Sequence, residues 1–244
     1  MKVKYFTLPN MFTLANLFCG SIAAICAISH IWAPETISLK VPLLFILASA
    51  LFDFADGAVA RLTGQYSALG VQLDSLSDMV SFGLTPSLIL TALYLGGNGS
   101  GAWWLLCLGV ALCSALRLAK FNIDDSQHES FEGLPTPACA IAIGSLAWAV
   151  ESGTLTLSPS VVLAIGVVSA WLLISPIRMF SLKFKGLSLR DKTNRLRYCF
   201  LLVSLVLLII EGAGALWCII ILYILTSIIS NIVASTCCKR QTKE

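Results

Sequence analysis

The chain has 244 residues, of which 57% are hydrophobic and 12% charged, about half the charged share of an ordinary soluble domain. That composition excludes a disordered chain and argues against a soluble enzyme. The apolar residues fall in runs too long for core helices, which points to a polytopic membrane protein. The formal net charge of +3 is small, so where the charges lie matters more than their sum.

In chain order, a short basic segment with Lys2 and Lys4 precedes a first apolar run from Met11 to Trp32. No small-x-small cleavage site before a soluble mature domain follows it, and hydrophobic segments continue behind it, so it is expected to be a retained span and not a signal peptide. Further runs are expected at Val41 to Arg61, Asp74 to Leu95, Ala102 to Asn122, Pro135 to Val150, Pro159 to Phe180, a seventh ending at Ile210, and Ala215 to Ala234. The Gly-rich stretch Gly96 to Gly101 reads as a loop, and Gly212 to Gly214 as a tight turn. Arg61 to Leu73 is expected to be the connection between the second and third runs. The stretch Ile123 to Leu134 is polar and acidic, and Lys183 to Arg197 is strongly basic. The nine cysteines include no C-x-x-C pair and read as free thiols acting as small hydrophobes. The expected fold is therefore all-α: a single integral membrane domain over residues 1–244, with about eight spans of ~20 residues each.

Basic residues give the orientation. With residue 1 in the cytoplasm and eight alternating spans, fifteen Lys and Arg fall inside and only Lys40 falls outside, a strong positive-inside bias. Glu35, Glu151 and Glu211 fall on the outer side. Both ends of the chain are then cytoplasmic.

Four aspartates break the apolar pattern near the inner ends of the second and third runs. Asp53 and Asp56 are three residues apart, and Asp74 and Asp78 four apart, so each pair shares one face of a helix. A helical hairpin brings the pairs together. Carboxylates in membrane segments are costly and usually functional, and four so close cannot all stay ionised without cations. All-oxygen ligation suits Mg²⁺ or Mn²⁺. Two such ions about 4 Å apart can clamp a diphosphate. Gly57 and Ala60 leave room against the helix, and Arg61 offers a planar cation for a phosphate. Taken singly, these acids would read as helix-end partners of Arg61 or Arg117, or as the lining of a cation pathway.

The pattern Asp53-x-x-Asp56-Gly57-x-x-Ala60-Arg61, eight residues, then Gly70-x-x-x-Asp74-x-x-x-Asp78 resembles the signature of the CDP-alcohol phosphatidyltransferases at every defined position. The resemblance implies transfer of a phosphatidyl group from a CDP-linked lipid to an alcohol, with release of CMP. It implies a two-ion site of Mg²⁺ or Mn²⁺ at Asp53, Asp56, Asp74 and Asp78, with Asp78 also the general base. It implies that Gly57, Ala60, Arg61, Ser67 and Gly70, with Asn10, Thr13 and Asn16 of the first span, contact the CDP-lipid. It also implies a homodimer in the bacterial cytoplasmic membrane, with the site facing the cytoplasm and no nucleic-acid partner.

Within that family, Pro9-Asn10, Thr13, Asn16 to Gly20, Ser81-Phe-Gly83 with Pro86, Arg117 to Asn122 and Gly133-Leu-Pro-Thr-Pro137 resemble the bacterial-type phosphatidylserine synthases, whose substrates are CDP-diacylglycerol and L-serine. Lys120 stands where that subgroup has Arg, which keeps the charge but loses the planar fork. The residues fit serine on their own terms. A zwitterion needs a cation for its carboxylate, and Arg117 and Lys120 are three apart on one helix face, with Asn122 and Ser81 as further polar contacts. As alternatives, the same two cations would be ordinary inner-face anchors, and Gly133 to Pro137 simply the turn into the next span. Another acceptor, such as glycerol phosphate, inositol phosphate or choline, keeps the same chemistry; a cation transporter is the reading from a different class.

The basic asymmetry makes a testable expectation. Cysteine labelling with an impermeant reagent in sealed cells should reach a cysteine placed in the Gly96–Gly101 loop and should not reach position 238. Labelling of position 238 from outside would refute the orientation.

Overall fold

A computed structural model describes residues 5–123, 132–179 and 192–241, without side chains for 192–197 and 232–241. Most of the acidic Ile123–Leu134 stretch and of the basic Lys183–Arg197 stretch, and the side chains of Cys237 and Cys238, lie outside the described residues. Among the described residues the protein is all-helical, apart from one isolated backbone bridge between Glu132 and Arg178.

Helix α1 spans Leu8–Trp32, with the Thr7 side chain accepting from the Asn10 amide and Pro9 in the first turn, where its missing N–H costs nothing. Helix α2, Lys40–Thr63, stops at Gly64, whose φ of 64° is a left-handed C-cap. Ser67 then caps α3, Ala68–Asp78, accepting from Gly70 N at 2.9 Å. The second and third runs are therefore joined by residues 64–67 only, and α3 begins at Ala68 and not near Asp74. Ser67 reads as loop by composition, but its hydroxyl is an N-cap and starts the helix early. Asp56 lies eight residues before Gly64 and Asp74 seven after Ser67. At 1.5 Å per residue both are about 11 Å from the turn, so the tight hairpin sets them at one level.

The third rod does not run as a plain α-helix. After Asp78 it widens into a π-helical segment, Met79–Leu84, and continues as α4, Thr85–Gly96. Pro86 has no N–H for the Phe82 carbonyl, while the Thr85 hydroxyl donates to Val80 O at 3.0 Å and to Gly20 O at 3.1 Å. The widened turn presses on α1: a Cβ on Gly20 would lie 2.0 Å from Ser81 Oγ and 2.7 Å from Ser81 Cα, so only glycine allows this approach.

A 3₁₀ segment, Gly101–Leu108, leads into α5, Gly109–Ile123. Helices α6, Thr136–Glu151, and α7, Pro159–Ile174, follow. The run expected to reach Phe180 ends at Ile174, because Ser175 precedes Pro176 and is extended (ψ 149°). Helix α8, Lys192–Glu211, turns back at Gly212 (φ 61°) through a 3₁₀ turn into α9, Leu216–Gln241. The Phe200 and Tyr223 rings lie 6.2 Å apart, so α8 and α9 form an antiparallel hairpin.

Among the described residues, five stretches are long and apolar enough to cross a membrane: Leu8–Trp32, Lys40–Thr63, Ala68–Gly96, Gly101–Ile123 and Tyr198–Asn231. The last contains most of the α8–α9 hairpin. Helices α6 and α7 have 16 residues each, about 24 Å at 1.5 Å per residue. Helix α6 is largely buried and α7 buries one face, so that Ala140, Ile143 and Leu173 join the core with Ala23 and Ala27 of α1 and Ile89 and Leu90 of α4, while α7 exposes Val167, Val168 and Trp171. Helix α8 exposes Leu202, Leu205, Ile209 and Ile210, an outward apolar face of the kind lipid covers.

The connections sort to two ends. At one, Leu39 N donates to Glu151 Oε2 at 2.8 Å, and Lys40 lies over the Trp148 ring. There too a Cβ on Gly97 would touch Pro159, and Ser145 Oγ donates to Ala213 O at 2.8 Å. At the other, Lys120 meets Glu132, Glu132 bridges to Arg178, and Asn231 Nδ2 donates to Arg178 O. The acidic hairpin turn belongs to this second end.

Candidate active site

Three of the four aspartates form one cluster. Asp53, Asp56 and Asp74 each offer a carboxylate oxygen within 4.8 Å of the others, and Asp53 and Asp74 are within hydrogen-bonding reach of one another. Asp78 stands one turn further along α3, buried, and the charges of Asp53 and Asp74 act on it. The cluster is polar on its α1 side. Thr13 Oγ1 donates to Asp56 Oδ2 at 2.6 Å, and Asn16 Nδ2 donates to Asp78 Oδ1 at 3.0 Å. Asn16 is fully buried and accepts from Ser81 Oγ at 2.8 Å, while its carbonyl accepts from Ser49 Oγ at 3.1 Å. Thr13 and Asn16 thus hold the acids of α2 and α3 from α1, and Ser81 holds Asn16.

The donor set fits a hard divalent cation. The oxygens are all carboxylate, the type Mg²⁺ and Mn²⁺ prefer. Asp74 Oδ1 is buried with no hydrogen-bond partner, an acceptor that a cation would satisfy. Asp53, Asp56 and Asp74 are the residues placed to hold it.

Beside the cluster lies a cleft of about 180 Å³. Six of the eight signature residues line it: Asp56, Gly57, Ala60, Arg61, Gly70 and Asp74. Asn10, Thr13 and Ser67 line it too, with Gln65 and Tyr66 from the hairpin turn. Gln65 and Tyr66 escaped the sequence reading; their only signal was their place in the short stretch between the two signature halves. Gly57 keeps the cleft open next to Arg61, whose nearest guanidinium nitrogen would sit 3.5 Å from a Cβ there. A Cβ on Gly70 would meet Ser67 Oγ at 3.1 Å and Asn10 Oδ1 at 3.3 Å. Asn16 is not part of the cleft wall.

A second cavity, of about 250 Å³, carries Arg117, Lys120 and Glu132. The Asp78 carboxylate acts electrostatically on Arg117 of α5, which ties this cavity to the acidic site. Lys120 Nζ is 3.3 Å from Glu132 Oε2. Two of the expected acceptor contacts are engaged elsewhere: Asn122 Nδ2 donates to Ser75 Oγ at 2.8 Å, and Ser81 is buried against Asn16. A larger cavity of about 460 Å³ between α6, α7 and α9 is apolar and has no charged residue in its wall, so it lacks the groups for polar chemistry.

Fold and site together define a multi-pass helical membrane protein with an acidic cluster that could hold a hard cation beside an Arg-bearing polar cleft. The CDP-alcohol phosphatidyltransferase family profile matches residues 6–174, and the chain belongs to that family. It is 36% identical over 137 residues to a CDP-diacylglycerol–serine O-phosphatidyltransferase of Helicobacter pylori strain J99, covering 55% of this chain and 54% of that protein. It is 34% identical over 176 residues to the protein of the same name from Bacillus subtilis strain 168, covering 70% and 88%. An archaetidylserine synthase of Methanothermobacter thermautotrophicus is 30% identical over 146 residues, 58% of each chain. The chain thus spans about half the length of several of the curated relatives it matches, and most of that of the Bacillus protein.

The geometry separates Asp78 from the triad. Binding of Mn²⁺ to the purified protein, followed by electron paramagnetic resonance, should weaken at least tenfold in Asp74→Asn and persist in Asp78→Asn. Loss of Mn²⁺ binding in Asp78→Asn alone would make Asp78 the principal ligand.

Proposed function

We propose that this protein transfers the phosphatidyl group of CDP-diacylglycerol to L-serine, giving phosphatidylserine and CMP. The observation that carries the reading is the meeting of six signature residues, with Arg61 among them, in one cleft beside three clustered carboxylates. The names of the relatives supply the acceptor. Arg117 and Lys120 in one cavity, with Arg117 electrostatically linked to Asp78, suit a carboxylate-bearing alcohol. We also infer eight spans with both ends of the chain cytoplasmic, from the sorting of the connections to two ends and the basic asymmetry. A homodimer within the bacterial cytoplasmic membrane, formed by this single domain, completes the reading.

In this scheme Arg61, Ser67 and the glycine-lined wall hold the CDP-lipid, and Arg117 holds the serine carboxylate so that the hydroxyl points toward Asp78. Asp78 accepts the hydroxyl proton, and Asn16 fixes that carboxylate in place. The serine oxygen forms a bond to the phosphorus that bears diacylglycerol. The bond from that phosphorus to the bridging oxygen breaks, and CMP departs with the electron pair. A pair of Mg²⁺ or Mn²⁺ ions at the aspartates would neutralise the diphosphate and the departing CMP. A phosphorylated acceptor would want more cations than this cavity offers. A transporter reading has no support from the acids, which gather at one end of the helices.

The test is CMP release by purified protein in detergent, given CDP-diacylglycerol, Mg²⁺ or Mn²⁺, and a panel of alcohols. Serine should drive release, and excess chelator should abolish it. Arg117→Ala should raise the serine KM roughly 10–100-fold, the scale of a charge-assisted hydrogen bond, with the CDP-diacylglycerol KM within a few-fold. Asp78→Asn should lower turnover ~10²–10⁴-fold. Full turnover in chelator, or a rise confined to the CDP-diacylglycerol KM in Arg117→Ala, would overturn these assignments.

A further inference from the structure

The second cavity contains a charge that the transfer scheme leaves unused. Glu132 faces Lys120 across 3.3 Å and shares the cavity with Arg117, whose Nε is buried without a hydrogen-bond partner. Glu132 also sits on a strap clamped to the end of α7. It forms a backbone bridge with Arg178, Gly133 N donates to Ile177 O at 2.9 Å, and Leu134 N donates to Leu172 O at 2.9 Å. Gly133 has φ 74°, and a Cβ there would lie 2.5 Å from Leu173 O. The Gly133-Leu-Pro turn is thus more than the entry to α6, because it fixes the backbone of Glu132 against the cavity.

Three charges in one cavity, two positive and one negative, complement a small zwitterion. We propose that Glu132 binds the ammonium group of the acceptor and so helps to select an amino acid over other alcohols; this rests on the serine-transfer reading above. Before substrate arrives, Glu132 serves as the counter-ion of Lys120. The incoming carboxylate takes over Lys120 and Arg117, and the freed Glu132 carboxylate accepts from the ammonium. One ion pair is exchanged for two, and Arg117, whose Nε is buried without a hydrogen-bond partner, gains an anion. An uncharged alcohol would offer nothing to replace the Lys120–Glu132 pair, and a phosphorylated one would meet Glu132 with like charge. Selection then rests on repulsion of the wrong acceptors as much as on attraction of the right one.

The experiment uses the full chain in detergent with CDP-diacylglycerol and compares wild type, Glu132→Gln and Glu132→Asp. The readouts are the KM values for serine and CDP-diacylglycerol, and inhibition by two serine fragments. One fragment is 3-hydroxypropionate, which lacks the ammonium; the other is ethanolamine, which lacks the carboxylate. Glu132→Gln should raise the serine KM roughly 10–100-fold and weaken ethanolamine similarly. It should leave the CDP-diacylglycerol KM within a few-fold, and 3-hydroxypropionate unchanged or tighter. Glu132→Asp should recover part of the serine affinity. Equal weakening of serine and 3-hydroxypropionate, an unchanged serine KM, or a rise in the CDP-diacylglycerol KM would overturn the assignment and leave Glu132 a support of Lys120 or of the strap. A wild-type protein that releases CMP with another alcohol and none with serine would overturn the serine reading itself.

Discussion

Three carboxylates held within 4.8 Å of one another repel, and they do so in a bundle whose surroundings are largely apolar. That crowding shapes everything near it. The α2–α3 hairpin can turn in residues 64–67 because Gly64 adopts a left-handed cap and Ser67 restarts the helix at once. A longer connection would let the two acidic faces slide apart. Helix α1 supplies the donors that the acids need, through Thr13 to Asp56 and Asn16 to Asp78. The closeness of α1 depends in turn on Gly20, which lets the π-helical backbone at Ser81 come into contact. A buried carboxylate without such partners is expensive, so the polar side of α1 and the acidic hairpin have to be understood as one unit. The apolar packing of α1, α4, α6 and α7 holds that unit at one end of the bundle.

The same crowding accounts for the chemistry. Carboxylates that cannot all keep their charge unaided are poised to take a hard cation, and Asp74 Oδ1 is left without any other partner. Asp78 is set apart: it lies at the junction of α3 and the π turn, gripped by Asn16 and close enough to feel Arg117. Its carboxylate acts on Arg117 of the second cavity, while Asp56 and Asp74 of the neighbouring triad line the Arg61 cleft. In the proposed reaction, a proton acceptor there would serve two ligands held in separate cavities. The π turn is what permits this, because it redirects the third rod just past Asp78, and such turns recur at functional sites.

Much of this was legible in the sequence, for physical reasons. Apolar runs bounded by Gly, Pro and charge give helices, and spacings of three and four put the aspartates on shared faces. Proximity of the two pairs followed from the hairpin. The misses came where a local signal had more than one use. Ser67 looked like loop and is a helix cap. Pro86 lay inside the expected third run, yet with Thr85 it marks a widened turn. Pro176 was a stop signal passed over inside an apolar run. Asn16 and Ser81 read as ligand contacts, whereas their side chains are spent on each other and on Asp78. Glu132 was invisible because its partner, Lys120, is brought to it by a strap whose hydrogen bonds reach residues about forty positions away in α7 and beyond. Periodicity does not report contacts of that kind.

The central claim is that a serine hydroxyl, with its proton passing to Asp78, attacks the lipid-bearing phosphorus. Serine carrying ¹⁸O in its hydroxyl tests it most directly, with the lipid product examined by mass spectrometry. Direct attack keeps that oxygen as the bridge between phosphorus and the serine carbon, so the phosphatidylserine formed should carry the full label. Phosphatidylserine without the label, or phosphatidic acid as the only lipid product, would contradict the account.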